Sequence, residues 1–98
     1  MQEQFVGSWK IQVSSPLGVD YYTLAISSSL NVMLSEARGS MQFHDVQFVL
    51  NTFELIGKTE TPTKSTIVMN GKLENGIIFG TIKINEYSVV DFKGLKNE

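Results

Sequence analysis

The residue types that could carry acid–base catalysis are scarce in this chain. His44 is the only histidine, and Asp45 follows it directly. A histidine held by a carboxylate is a common general base, but neighbouring residues of a strand point to opposite faces of the sheet. The pair would form a dyad only if a bulge reoriented one side chain. We therefore interpret His44 as a solvated surface residue.

The other groups that catalyse reactions are missing or scattered. The chain has no cysteine, which excludes a thiolate nucleophile, a disulfide and a thiolate metal site. The serine runs at 14–15 and 27–29 fall at predicted turns and lack the Gly-x-Ser-x-Gly pattern of a nucleophile elbow. Asp45, Glu54 and Asp91 have no partner at a predictable distance. The sequence therefore predicts a protein that is not an enzyme, without a cofactor or a metal.

A set of aromatic, methionine and glycine residues could instead line a cavity for a small apolar ligand. Eight strands enclose just enough space for side chains or for one small ligand, so the same residues could also simply fill the core. The pair Gly71 and Gly80 marks the best place for a cavity, unless Phe92 closes it. The predicted ligand-binding residues are Trp9, Tyr22, Phe43, Phe53, Met69, Gly71, Gly80 and Phe92, and Met33 and Phe48 belong to the same set.

The composition indicates the elements that would position these residues. Nine Val, eight Ile and seven Thr accompany ten aromatic residues, whereas alanine occurs only twice. Branched and aromatic side chains favour strands, and turn residues recur at intervals typical of short antiparallel strands. We predict one all-β domain over 1–98, an eight-stranded antiparallel up-and-down barrel or flattened barrel. Its predicted strands are 7–14, 20–27, 30–36, 41–48, 52–60, 64–73, 77–84 and 88–95.

An Asn-Gly dipeptide at 75–76 sets the register of the sixth and seventh strands. Asn-Gly suits a type I′ turn, because both central residues take a positive φ. With this turn, one face of the hairpin holds only apolar residues and glycine, and a slip by one residue would mix the two faces. The predicted pairs are Glu74 with Ile77, Leu73 with Ile78, Gly71 with Gly80, Met69 with Ile82, and Ile67 with Ile84.

The first and last hairpins follow the same logic. Loops at 16–19 and 85–87 join their strands, and Phe92 would lie over the backbone that Gly71 and Gly80 leave bare. The alternation breaks at His44 and Asp45, which predicts a bulge there. The predicted pairs are Val13 with Tyr22, Ile11 with Leu24 and Trp9 with Ile26 in the first hairpin, and Ile82 with Val90, Gly80 with Phe92 and Ile78 with Gly94 in the last.

Charge and hydropathy exclude several kinds of partner. Eight basic against ten acidic residues give a net charge of −2, which offers no electrostatic reason to bind nucleic acid or an anionic membrane. No apolar run approaches the roughly 18 residues of a membrane-spanning helix. The stretch Met1–Gln4 lacks the basic and apolar regions of a secretion signal. We expect a cytoplasmic protein with no nucleic-acid and no membrane partner.

The segment Phe5-Val6-Gly7-Ser8-Trp9-Lys10 resembles the Gly-x-Trp start of the calycins, the superfamily of lipocalins, fatty-acid-binding proteins and avidins. The resemblance implies a barrel in which Trp9 begins the first strand and plugs one end. It also implies that a basic residue near the end of the last strand packs across this tryptophan. Lys93 or Lys96 could do so through a cation–π contact worth about 0.5–2 kcal/mol.

A wider pattern of turn and strand glycines is similar to a group of uncharacterised small bacterial domains. This pattern comprises Gly7-x-Trp9, Pro16-x-Gly18, Gly71 with Gly80, and Phe92-x-Gly94.

Fatty-acid-binding proteins differ from this chain after the first strand, because they carry a helix-turn-helix lid where this chain has only Pro16-Leu17-Gly18. They also bind a carboxylate through an arginine and a tyrosine near the C-terminus. The only arginine here is Arg38, in a predicted turn.

Several apolar residues fall on the outward face of the predicted strands. A contiguous apolar patch on a small domain marks an interface. Phe79 and Val68 belong to neighbouring strands and share a face, so we predict a homodimer through the sixth to eighth strands. Single-stranded nucleic acid would need a basic groove, and the cations are dispersed along the chain. The predicted interface residues are Tyr21, Val68, Ile77, Phe79 and Val89.

The sequence leaves two hypotheses of function. In the first, a non-enzymatic calycin-like domain binds a small apolar ligand inside its barrel. In the second, the barrel is filled by its own side chains, and an outer apolar face forms a homodimer. The glycine pair and the Gly-x-Trp start favour the first, and the surplus of outward apolar residues favours the second.

Overall fold

The alternating segments of the chain form the eight strands of a closed antiparallel barrel, in the order in which they occur in the sequence. A computed structural model describes residues 3–37, 39–60 and 64–97, so the predicted turn position Arg38 lies outside the described residues. A short 3-10 helix, Glu3–Phe5, precedes the first strand. The strands are β1 Gly7–Ser15, β2 Gly18–Ile26, β3 Val32–Glu36, β4 Gly39–Val49, β5 Thr52–Thr59, β6 Ser65–Glu74, β7 Ile77–Ile84 and β8 Ser88–Lys96.

Closure comes from the pairing of β1 with β8, which runs from Trp9 opposite Lys96 to Ser14 opposite Asp91. Beyond this ladder the backbone N–H of Asn97 donates to the carbonyl of Ser8 at 2.8 Å. The predicted all-β barrel is therefore confirmed, and each predicted strand boundary lies within two residues of the observed one. Among the described residues, none of the helical structure is long and apolar enough to cross a membrane.

The hairpin of β6 and β7 has the predicted register. Asn75 and Gly76 form its turn with φ values of 54° and 79°, as a type I′ turn requires. The predicted pairs on β7 and β8 are confirmed as well, including Gly80 opposite Phe92. The confirmed pairs of β6 with β7 are Glu74 with Ile77, Leu73 with Ile78, Gly71 with Gly80, Met69 with Ile82 and Ile67 with Ile84.

The register predicted for β1 and β2 is wrong by two residues. Ser15 pairs with Gly18, so Pro16 and Leu17 alone form the turn, where the sequence predicted a loop over 16–19. Gly18 takes a φ of 130°, and the N–H of Leu17 donates to the Oγ of Ser15 at 3.2 Å. Because strand faces alternate with a period of two, the shift leaves every side chain on its predicted face. The observed pairs are Val13 with Asp20, Ile11 with Tyr22 and Trp9 with Leu24.

The predicted break in β4 is a bulge. Phe43 pairs with Gly57, but the next pair is Asp45 with Ile56, so His44 is the extra residue. The bulge lets Phe43 and Phe48 both point inward, although their sequence separation is odd, and both are buried. The alternation in the sequence therefore indicated this irregularity correctly.

The core occupies the interior of the barrel and is apolar throughout. Among the described residues, no polar or charged residue is buried. Phe5 and Trp9 seal one end, which we call the closed end: the Nε1–H of Trp9 donates to the carbonyl of Phe5 at 2.9 Å. The rings of Phe48 and Phe53 lie 4.8 and 5.5 Å from that of Phe5. The opposite end, which we call the mouth, is bordered by half-buried inward side chains.

Candidate functional site

Trp9 lies where the calycin resemblance places it, at the start of β1 and at the closed end. Its side chain is 1% exposed. The Lys96 ammonium lies 5.5 Å from the centre of the Trp9 ring, so Lys96 is the basic residue that packs across it. Lys93, the other candidate, is exposed on the outer face of β8 and pairs with Gln12 and Phe79. Trp9 therefore contributes to closing the barrel.

Besides Trp9, four of the predicted ligand-binding residues are buried in the core: Phe43, Phe53, Met69 and Phe92. The rings of Phe53 and Phe92 are 6.2 Å apart. Tyr22, another of the predicted residues, is half-buried and packs against the core from the side of the mouth. These predicted residues therefore lie inside the barrel. Whether they line a cavity depends on the space that their side chains leave between them.

The glycine pair is closed by aromatic rings at Gly71 and by backbone at Gly80. A methyl group at Gly71 would lie 2.8 Å from Cζ of Phe53 and 2.9 Å from Cζ of Phe92. A methyl group at Gly80 would overlap the carbonyl oxygen of Asn70 and lie 2.6 Å from the Cα of Gly71. These distances are too short for a carbon atom, so nothing larger than hydrogen fits at either position. Phe92 therefore covers Gly71 and stands directly opposite Gly80, as the aromatic-rescue interpretation predicted for Gly71.

Two further inward glycines show the same close packing. A methyl group at Gly94 would lie 2.6 Å from Cδ1 of Ile11 and 2.7 Å from Cγ1 of Ile78. At Gly57 it would overlap the terminal methyl of Met41. Large side chains from neighbouring strands occupy the space that each glycine leaves. Around these four glycines the barrel is filled by its own residues.

The mouth is less tightly covered than the closed end. Four inward apolar side chains there keep some contact with solvent, while Met33 points outward and is 41% exposed. The predicted membership of Met33 in the cavity lining is therefore wrong. The half-buried apolar residues at the mouth are Tyr22, Met41, Ile84 and Val90.

The His44–Asp45 pair is a surface feature, as predicted. The bulge turns both residues to the outside, with side chains 50% and 70% exposed and His44 Nδ1 3.7 Å from Asp45 Oδ2. That separation is too long for a hydrogen bond. No group of three or more His, Asp or Glu side chains that could hold a metal ion occurs within the described part of the chain.

The predicted interface residues all lie on the outer face, but the barrel separates them. Val68 and Val89 flank Lys83 from either side, towards the mouth. Ile77 and Phe79 are two residues apart on β7, nearer the closed end. Tyr21 lies on β2, where the ammonium of Lys10 sits 4.9 Å from the centre of its ring. The structure brings Ile77 and Phe79 together and places Val68 and Val89 nearer the mouth. Tyr21 lies one strand beyond, directly opposite Gln12 of β1.

A residue that sequence reasoning missed completes an apolar cluster with Ile77 and Phe79. Leu95 is directly opposite Ile77 on β8 and is 53% exposed. The predicted strand 88–95 alternates between outward and inward residues, and with Gly94 inward this alternation identifies Lys93 and Leu95 as outward. We call the outward surface of β6, β7, β8 and β1 around this cluster, near the closed end, the β7–β8 face. It comprises Lys10, Gln12, Lys72, Glu74, Ile77, Phe79, Lys93 and Leu95.

The β7–β8 face combines apolar side chains with cations. The ammonium of Lys72 lies 5.9 Å from the ring centre of Phe79 and 3.3 Å from a carboxylate oxygen of Glu74. Lys93 pairs with Phe79 across the strands, and Lys10 pairs with Leu95. Among the residues described, neither Lys10 nor Lys93 forms an ion pair. The face therefore carries uncompensated positive charge next to an apolar centre.

The described residues form two open depressions. One of about 430 Å³ is lined by Tyr21, Tyr22 and Lys10 among others, next to the β7–β8 face. One of about 280 Å³ is lined by Phe53, Asn70 and Gly71 among others, so it reaches one glycine of the pair. Both are lined by a mixture of polar and apolar residues.

Comparisons with protein-family models, with curated proteins and with solved structures return no match.

Proposed function

We propose that this chain is a non-enzymatic, calycin-like cytoplasmic module whose filled barrel is a rigid scaffold and whose outer apolar face forms a homodimer. The observation that supports it best is the absence of room at the inward glycines. The rings of Phe53 and Phe92 close on Gly71, where a cavity was expected, and the backbone of β6 lies against Gly80. Branched side chains fill the space beside Gly94 in the same way. Because the interior is filled around these glycines, the outside of the barrel is the better candidate for its working surface.

The β7–β8 face is the part of the outside best suited to this role. The half-buried Ile77 and Phe79 and the exposed Leu95 form one outward cluster across two paired strands, whereas most exposed apolar side chains stand singly or at loop tips. Exposed apolar clusters with a polar rim are typical of protein interfaces. Phe79 lies at the level of two lysines and is the central aromatic residue of the face.

Changing Phe79→Asp tests this proposal. A carboxylate at the centre of an apolar interface would be buried without a partner, so the dimer should dissociate to a monomer in sedimentation. Val49→Asp is the matched control, because Val49 is 62% exposed on the outer face of β4 and lies outside the β7–β8 face. It should leave the mass unchanged.

Both variants must keep the fold, which a far-ultraviolet spectrum and a thermal melt would establish. A wild-type chain that is monomeric at all accessible concentrations would reject the homodimer. A Phe79→Asp variant that dimerises like the wild type would reject this face as the interface.

A second candidate function rests on the mouth, where inward apolar side chains remain half-buried. A small apolar ligand could insert there and cover Tyr22, Met41 and Val90. Since no buried polar residue occurs among the described residues, such a ligand would be held by apolar contact rather than by a carboxylate clamp.

Fluorescent-probe displacement with an apolar dye separates this candidate from the first. Met41→Trp would fill the mouth and should abolish saturable binding of the dye. Met33→Trp places the same bulk on the outer face of the neighbouring β3 and should leave binding intact. A dye that binds the wild type at no concentration would eliminate the ligand function, and dye binding unaffected by Met41→Trp would place the ligand elsewhere.

A further inference from the structure

One row of the β7–β8 face is arranged so that its two halves complement each other. Across β6, β7, β8 and β1, the directly opposed outward residues are Glu74, Ile77, Leu95 and Lys10, in that order. An acid stands at one end of the row, a base at the other, and two apolar residues lie between them. A rotation of 180° about an axis parallel to the strands places this row against the same row of a second copy, so that each acid faces a base and the apolar residues face each other.

The two-fold operation brings unlike residues together. An axis that runs between β7 and β8, in the plane of the interface, places Glu74 of one protomer on Lys10 of its partner and Ile77 on Leu95. Since a two-fold contact is isologous, each of these pairs occurs twice. Opposite charges meet at both rims, and the apolar residues meet in the centre.

The next two rows are compatible with the same axis. The row Lys72, Phe79, Lys93 and Gln12 would place the Phe79 ring under the partner's uncompensated Lys93 ammonium and Lys72 beside Gln12. No row brings two like charges face to face. In the following row, Asn70 would meet Ser14 and Thr81 would meet Asp91, which are pairs able to hydrogen-bond.

We infer that a second copy of this chain binds the β7–β8 face about a two-fold axis between β7 and β8, with Glu74 and Lys10 exchanging reciprocal ion pairs across the dimer. This inference rests on the proposed homodimer and specifies its geometry. The rows comprise fewer side chains than the 20–30 a side of a standard interface, so a dissociation constant of about micromolar is expected.

Charge reversal at the two rim positions tests this geometry. Glu74→Lys places a lysine opposite each partner Lys10, and Lys10→Glu places two acids opposite each other. Each variant alone should dimerise roughly tenfold or more weakly than the wild type, since two attractive contacts become repulsive. Mixing the two variants should form a heterodimer, in which every rim contact is again between opposite charges. The double variant should recover the homodimer.

Native mass spectrometry with one variant isotope-labelled measures the heterodimer directly. Lys58→Glu, on the exposed outer face of β5, controls for the change in net charge and should leave the dimer intact. Single variants that both dimerise as tightly as the wild type, or a mixture without preferred heterodimer, would overturn the two-fold geometry. In that case a monomeric Phe79→Asp variant would still support the homodimer, so the two proposals fail separately.

Discussion

Gly80 is the position at which this fold tolerates an added carbon atom least. Its obstacle is backbone, the carbonyl of Asn70 and the Cα of Gly71, and not the movable end of a side chain. Backbone in the middle of a paired ladder can move only by disturbing its hydrogen bonds. The identity of this residue is therefore fixed by the closeness of β6 and β7 and not by its own conformational preference.

We expect Gly80→Ala to lower the free energy of unfolding by about 2–4 kcal/mol, because an overpacked core must shift the neighbouring strand. Urea unfolding would measure this loss. Gly39→Ala is the matched control, since a methyl group at Gly39 has no neighbour within 4 Å. The control should be neutral or gain up to about 1 kcal/mol from the reduced entropy of the unfolded chain. Equal effects at both positions would contradict the close approach at Gly80.

At the scale of elements, the hairpins show what turn chemistry predicts and what it leaves undecided. Asn75-Gly76 fixed the β6–β7 register in advance, because few dipeptides suit a type I′ turn. The β1–β2 turn was predicted two residues too long, since Pro16, Leu17 and Gly18 are compatible with either a short turn or a longer loop. Only the observed pairing of Ser15 with Gly18 distinguishes them.

The β4–β5 turn contains a leucine in a backbone conformation that leucine rarely adopts. Leu50 has a φ of 55° and is 83% exposed. A leucine in this region costs roughly 1–2 kcal/mol relative to its preferred conformations, whereas glycine adopts it readily. The carbonyl of Leu50 accepts a hydrogen bond from the Gln4 side chain at 2.9 Å, so the turn also helps to hold the N-terminal 3-10 helix.

Leu50→Gly should raise the free energy of unfolding by about 0.5–1 kcal/mol, because the relief of backbone strain exceeds the entropy that glycine adds to the unfolded chain. The comparison is Leu17→Gly in the β1–β2 turn, where Leu17 is 99% exposed and is not among the residues with a positive φ. There only the entropic term acts, and stability should fall by a similar amount. Denaturant titration of both variants gives the difference, and a loss at both sites would argue against strain at Leu50.

At the scale of the whole molecule, closure of the barrel is what separates inside from outside. The pairing of β1 with β8 joins residues near the two ends of the chain, from Trp9 with Lys96 to Ser14 with Asp91. The same pairing places Lys10 beside Leu95, and so completes the row on which the two-fold contact depends. The charge-reversal and Phe79→Asp experiments therefore test a surface that exists only in the closed barrel.

Closure also sets how much space is left inside the barrel. Side chains from strands far apart in the sequence meet at the glycines: Phe53 and Phe92 converge on Gly71, and Ile11 and Ile78 on Gly94. The volume left inside a barrel depends on the sum of such contacts across all strands. No single strand or hairpin contains that information, which is why sequence reasoning named the lining residues but could not say whether they enclosed a space.

The sequence by itself determined the strands, the inward and outward faces of their side chains except at Met33, the bulge at His44 and the register from β6 to β8. These follow from local properties: a period of two, the turn preference of Asn-Gly and the bare backbone of glycine. The tertiary structure alone decided that Lys96 covers Trp9, that the interior is filled around its glycines, and that Glu74, Ile77, Leu95 and Lys10 stand in one row. Those are contacts between strands distant in sequence. Barrel closure and side-chain packing set their geometry, and no local sequence pattern contains that information.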